Sequence, residues 1–147
     1  MKFGAKKSAI PALLAALLVL TSLFAVTGCG PKLPQGSSTY ELESIEPNSA
    51  NMTVDKVTAF YISLNADDNT YVAQFKAKGM PIFISEKGTY NISGSNITFN
   101  RNDGEVLISK GLNYSSKNNT ITVACLMRGS DETYNAVFKL STDPIES

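Results

Sequence analysis

The sequence predicts an all-β domain, a single antiparallel eight-stranded up-and-down barrel behind an exported leader and a short tether. Three observations predict it. Beyond residue 38 the apolar residues recur with period two, not with the 3.6 of a helix. The runs are separated mostly by short polar stretches, so neighbours in sequence should pair antiparallel. About one hundred residues are available, enough for one core of ordinary size. Eight such strands with one apolar face close most economically into a barrel, because closure leaves no exposed edge. A two-sheet sandwich is the alternative.

The first run, Thr39–Glu46, carries Tyr40, Leu42 and Ile45 as its apolar members. Lys56–Leu64 places Phe60, Ile62 and Leu64 on one face, and the Asx-rich Asn65–Asn69 then breaks the pattern. Thr70–Ala77 alternates Tyr71, Ala73, Phe75 and Ala77 against Gln74 and Lys76, and Lys78–Pro81 is the next break. In the longer run Ile82–Ile92, the residues Ile82, Ile84, Tyr90 and Ile92 share a parity, and Gly88 suggests a bulge or bend. Ser93–Ser95 leads tightly into Asn96–Asn100, with Ile97 and Phe99 aligned. Asn102-Asp103-Gly104 has the composition of a hairpin turn, since Asp and Gly tolerate positive φ. Val106–Tyr114 and the polar Ser115–Asn119 follow. Thr120–Arg128 alternates Ile121, Val123, Cys125 and Met127 against polar or small residues. Gly129–Asp131 turns into Thr133–Leu140, where Tyr134, Ala136, Phe138 and Leu140 align. No helical pattern of ten residues competes after Ser38.

Residues before that point have a different logic. Lys2, Lys6 and Lys7 precede an almost wholly apolar stretch from Ala9 to Val26. The stretch ends in Val26-Thr27-Gly28-Cys29. A cationic start, an apolar middle and small residues at a cleavage point make a secretory signal. The tetrapeptide resembles the lipobox of bacterial lipoproteins: an aliphatic residue, a small residue, Gly or Ala, then Cys. The resemblance implies that the Cys29 thiol takes a diacylglycerol thioether and that the chain is cut immediately before it. An uncleaved transmembrane helix is the plainer reading, but Pro11 weakens the helix early and Gly28, Gly30 and Pro31 end it abruptly. Both readings put the remainder on the extracytoplasmic face of the cell membrane, because positive flanks stay inside. Two acyl chains give a stable hold. The expected organisation is 1–28 signal, 29–38 lipidated Cys29 and Pro/Gly/Ser-rich tether, and 39–147 folded domain.

Within the domain, Gly88-Thr89-Tyr90-Asn91-Ile92-Ser93-Gly94-Ser95-Asn96-Ile97-Thr98-Phe99 resembles a hairpin of small bacterial lipocalin-like proteins. The stretch Tyr61–Tyr71 looks like the preceding hairpin of that group. The resemblance implies a lipocalin-like barrel. The sequence departs from true lipocalins in lacking their early Gly-x-Trp signature, and the chain has no Trp at all. The same absence argues against a biotin site of avidin type.

Composition excludes several chemistries. Thirteen basic residues balance thirteen acidic ones, and after Cys29 ten basic and thirteen acidic residues remain. No basic block provides the footprint of a nucleic-acid binder. No His is present, which removes Ser-His-Asp and Cys-His catalysis and His-ligated zinc. Asp67 and Asp68 with Asn65 and Asn69 offer oxygens for a hard cation, yet they are also what a turn needs, and the spacing is not that of an EF-hand. Glu86 falls on the apolar parity of its run. Either it is an inward carboxylate, able to orient a ligand or hold a proton, or Gly88 shifts the register and turns it outward. The register shift is the simpler expectation, and no second acid completes an acid–base pair. Cys125 reads as an inert core thiol, since Cys29 is consumed by lipid. The Asn-x-Ser/Thr triplets at Asn51, Asn91, Asn96, Asn113 and Asn118 read as an exposed polar face.

The expectation is therefore a non-enzymatic, membrane-anchored monomer without cofactor or metal. It would bind a small apolar or amphipathic ligand in the barrel, lined by Phe60, Tyr71, Phe75, Tyr90, Phe99, Tyr114, Tyr134 and Phe138. If the barrel is filled, those aromatics are its core. The alternative is a protein-interaction, inhibitor or envelope module that uses the outer face or loops.

Overall fold

A computed structural model of the chain describes residues 35–46 and 52–142. The lipobox, Cys29 and most of the expected tether lie outside the described residues. The strands are β1 (Ser37–Ile45), β2 (Val57–Asn65), β3 (Thr70–Ala77), β4 (Ile84–Ser93), β5 (Asn96–Gly104), β6 (Ile108–Ser115), β7 (Thr120–Leu126) and β8 (Thr133–Leu140). A single 3-10 turn, Val54–Lys56, precedes β2. One sheet holds all eight strands in the order β5-β4-β3-β2-β1-β8-β7-β6, every pairing antiparallel. This is an up-and-down barrel of the lipocalin-like kind, and it excludes the sandwich.

Closure is nearly complete. β5 and β6 are the two ends of the hydrogen-bonded order and meet along a seam. There the Tyr114 N–H donates to the Ser95 carbonyl at 2.7 Å. Gly111 lies so close to β5 that a Cβ on it would stand 2.0 Å from the Ile97 carbonyl oxygen. Only a residue without a side chain permits that approach.

Alternation is strict enough to sort the side chains. Ile62, Leu64, Ala73, Ile97, Ile121, Val123, Ala136 and Phe138 are buried inside, while Tyr61, Ser63, Gln74 and Lys76 stand on the outer face. One end of the barrel carries the tight turns after β2, β4 and β6 together with the start of β1. The other end, here the loop end, carries the connections before β2, β4, β6 and β8.

Three expectations are corrected. Asn102-Asp103-Gly104 is no hairpin turn: β5 runs on to Gly104, with Lys87 opposite Asp103 and Glu86 opposite Gly104. Asn102 is the extra residue of a bulge, because Gly88 pairs with Arg101 and Lys87 with Asp103. The irregularity falls on β5, so β4 keeps its parity through Gly88 and Glu86 points inward. Ile82, expected on that inward parity, precedes β4 and is 67% exposed.

The pairs β3–β4 and β7–β8 share a register at a spacing of fifty positions. Thr70 pairs with Thr89 and Thr120 with Lys139; Phe75 pairs with Ile84 and Cys125 with Tyr134. Asn69 and Asn119 hold φ of 57° and 54° in the two corresponding turns. Their carbonyls accept from the Tyr90 and Leu140 N–H groups, each at 2.9 Å.

Candidate functional site

The barrel interior comes first, because the aromatic set was expected there. Seven of the eight rings (Phe60, Tyr71, Phe75, Tyr90, Tyr114, Tyr134 and Phe138) are buried, and Phe99 is partly buried against them. They pack on one another. Phe60 stands edge-on to Phe75 and Phe138 with ring centres 5.1 and 4.8 Å apart, and Tyr71 stands edge-on to Phe99 at 4.8 Å. Such pairs are the favoured geometry for aromatic cores. The rings occupy the barrel as its packing.

Their polar tips are satisfied internally. Burial pushes the hydroxyls of Tyr40, Tyr71 and Tyr134 well above the ordinary phenol range, and neighbours add to the shift. Those neighbours are Tyr114 for Tyr40, Glu86 for Tyr71 and Cys125 for Tyr134. The Tyr90 hydroxyl, raised mainly by burial, reaches the Asn65 carbonyl at 3.4 Å.

Among the described residues Glu86 is the one buried charged residue, at 1% exposure. Tyr71 donates its hydroxyl to Oε1 at 2.5 Å. Oε2 accepts the backbone N–H of Leu107 and that of Ile108, the latter at 3.0 Å. The Ile108 amide opens β6 and the Leu107 amide immediately precedes it. A side chain of β4 thus reaches across to the start of β6, one end of the hydrogen-bonded order. Fully satisfied, the carboxylate is part of the wall and offers no spare oxygen to a substrate.

The other sequence candidates are equally occupied. Asp68 Oδ1 accepts both the N–H and the hydroxyl of Thr70, at 3.0 and 2.6 Å. Asn65 Oδ1 accepts the Asp67 N–H at 3.0 Å, so this cluster shapes a turn. Among the described residues no three His, Cys, Asp or Glu side chains gather to hold a metal ion. Cys125 is fully buried and free of any disulfide. Burial pushes its thiol far up, against a smaller opposing hydrogen bond with Tyr134.

Room for a ligand lies outside. A half-open groove of about 850 Å³ runs along β1, β2 and β3 towards the loop end, its outward side chains joined by Leu42, Val57 and Phe60, which also pack with the core. Leu42, Val54, Val57, Ala59, Tyr61 and Phe83 give it apolar walls; Thr39, Glu41, Ser63 and Gln74 give it polar ones. Its polar groups are tied down: the Thr39 and Ser63 hydroxyls bond at 3.0 Å, and the Tyr61 hydroxyl donates to Gln74 Oε1. Tyr61 and Phe83 tilt against each other with ring centres 6.1 Å apart. At the loop end of the interior, by contrast, the cleft among Met52, Phe75, Leu107 and Tyr134 holds only about 30 Å³.

Of the eight expected lining residues, Phe60 alone borders the outer groove. Sequence reasoning did not single out Tyr61, Gln74 or Phe83 as lining residues. The available signal was two aromatics, Tyr61 and Phe83, on polar-side or loop positions. Among the described residues four large apolar side chains are exposed, Val54, Ile82, Phe83 and Val106, and all sit in connections of the loop end.

Compared with known proteins, the chain matches no family model, no curated protein and no solved structure.

Proposed function

We propose that this chain is a lipid-anchored, extracytoplasmic binding module that takes its ligand in the outer groove of β1–β3 and not in the barrel interior. The supporting observation is the contrast in space: the interior is packed with its own rings, while the groove has the 300–1,000 Å³ typical of small-ligand sites. Its mixed walls suit a small amphipathic molecule. The lipobox at Val26–Cys29 supports anchorage through Cys29, with the signal 1–28 removed and the domain acting as a monomer. The absence of His, the engagement of both Glu86 oxygens within the wall and the burial of Cys125 support binding without catalysis.

Native mass spectrometry of the full chain purified from its own membranes tests the proposal. A small-molecule adduct is expected on the wild type and on Thr98→Arg, which alters the exposed face of β5. It should vanish in Ala59→Arg, which fills the groove. An adduct that survives Ala59→Arg would refute the groove.

A further inference from the structure

The charges around the groove are arranged by side. Lys76 stands on the outer face of β3, opposite Ala59 of β2, and its ammonium lies 5.4 Å from the centre of the Phe83 ring. Both neighbours line the groove. Among the described residues Lys76 makes no ion pair, so its charge is met only by an aromatic face. Lys78 and Lys56 lie nearby at the loop end, joined by a backbone bond at 2.9 Å, with Asp55 beside them. The acid of the groove, Glu41, is on the opposite side, in β1, and accepts from the Ser141 hydroxyl at 3.2 Å. Between the two sides run the apolar walls of Leu42, Val54, Val57 and Ala59.

Resting on the groove reading above, we infer that the ligand is a free single-chain anionic amphiphile, its head on Lys76 beside Phe83 and its tail along Leu42, Val54 and Val57. The charge pattern sets the orientation. An anionic head gains from an ammonium that has no carboxylate partner and loses beside Glu41, so the molecule lies one way round. A cationic head is repelled at Lys76, and a neutral one forgoes the ammonium. The apolar walls supply most of the affinity and the lysine supplies the selection. A flat bilayer surface fits less well, because the apolar residues line a concave trough that holds one chain.

Photolabelling of the full chain in phosphatidylcholine vesicles tests this, with a diazirine-bearing dodecanoic acid and the matching dodecanol. The acid should label peptides 52–63 and 81–87, and unlabelled dodecanoate should compete. Lys76→Glu should lower labelling by the acid at least tenfold and leave labelling by the alcohol unchanged, and Lys76→Arg should retain both. Labelling of the groove that ignores Lys76→Glu, or equal labelling by acid and alcohol, overturns the anionic preference and leaves the groove standing. Labels confined to the inward residues of β5 and β6 overturn both. Loss of all labelling in Lys76→Glu, alcohol included, would mark a folding defect; Lys76→Gln then decides, and its full retention of acid labelling overturns the inference.

Discussion

The strands β2–β4 and β6–β8 share turns and left-handed Asn positions, and β3–β4 and β7–β8 share a register, yet the two sets carry different burdens. In the first set, β2 lies against β1 along a regular ladder, and Tyr61 stands opposite Glu41 on the outer face. In the second, bulges on either side of Gly111 break the correspondence in β6, and that strand has no ladder on its far side but a seam against β5. The inward position of Glu86 in β4 corresponds to Ala136 in β8. A strand that ends the hydrogen-bonded order needs a close approach and a side-chain acceptor, and Gly111 and Glu86 supply them. A strand in the middle needs neither and is free to carry Tyr61 outward as part of a groove.

That comparison breaks most severely if the carboxylate is moved. Ala136→Glu would bury a carboxylate where Ala136 is fully buried and no backbone donor is on hand, so the domain should lose about 5 kcal/mol or fail to fold. Circular dichroism in a urea series measures it, and a stable Ala136→Glu variant would show the two sets to be interchangeable. Glu86→Ala strands the Tyr71 hydroxyl and two amides and should cost about 3 kcal/mol. Hydrogen exchange should accelerate first at Leu107 and Ile108, and uniform acceleration across all strands would deny Glu86 its place at the seam.

Gly111→Ala pushes a Cβ into the Ile97 carbonyl and should cost about 2–3 kcal/mol. Its exchange signature is loss of protection at Tyr114, whose N–H crosses the seam. Next comes pH. Burial raises the Cys125 thiol in the folded state only, so the folded form holds the proton more tightly. This stability is complete below the ordinary thiol range and is lost as pH rises through it, at about 1.4 kcal/mol per pH unit. Cys125→Ala should remove that part of the alkaline slope in urea melts at pH 9–10.5, and an unchanged slope would mean an accessible thiolate. The smallest effect tests the likeness itself. Asn69→Ala and Asn119→Ala should each cost about 1 kcal/mol, and equally, because both hold the same left-handed conformation. A twofold disparity in thermal shift would end the equivalence.

Strict alternation made much of the fold legible. Thr70–Ala77 and Thr133–Leu140 follow directly from the sequence, since each places four inward residues at period two between clear breaks. β5 was harder. Asn102-Asp103-Gly104 has turn chemistry, and Gly104 does hold φ of 88°, but the backbone of Glu86 and Lys87 keeps it in the ladder. Glu86 was misjudged for a related reason. An inward carboxylate looks too costly until its donors are known, and those donors, Leu107 and the first residue of β6, lie 21 and 22 positions on, where only the closed barrel places them. The groove was illegible because Glu41, Tyr61 and Gln74 form one row only through cross-strand register, which no single strand reveals.

One feature of the strand order bears on how the protein is made. β1 sits between β2 and β8, with Tyr40 opposite both Ile62 and Leu140. The first strand to be synthesised is therefore completed by the last. Until residues 133–140 have emerged, β1 and β7 each present a bare edge, and the ring must be shut by contacts about one hundred residues apart, among the slowest kinds of closure. A chain halted one strand short would keep most of its core residues and still be a sticky, unfinished sheet, so the arrival of β8 decides whether the earlier strands fold together or find the wrong partner.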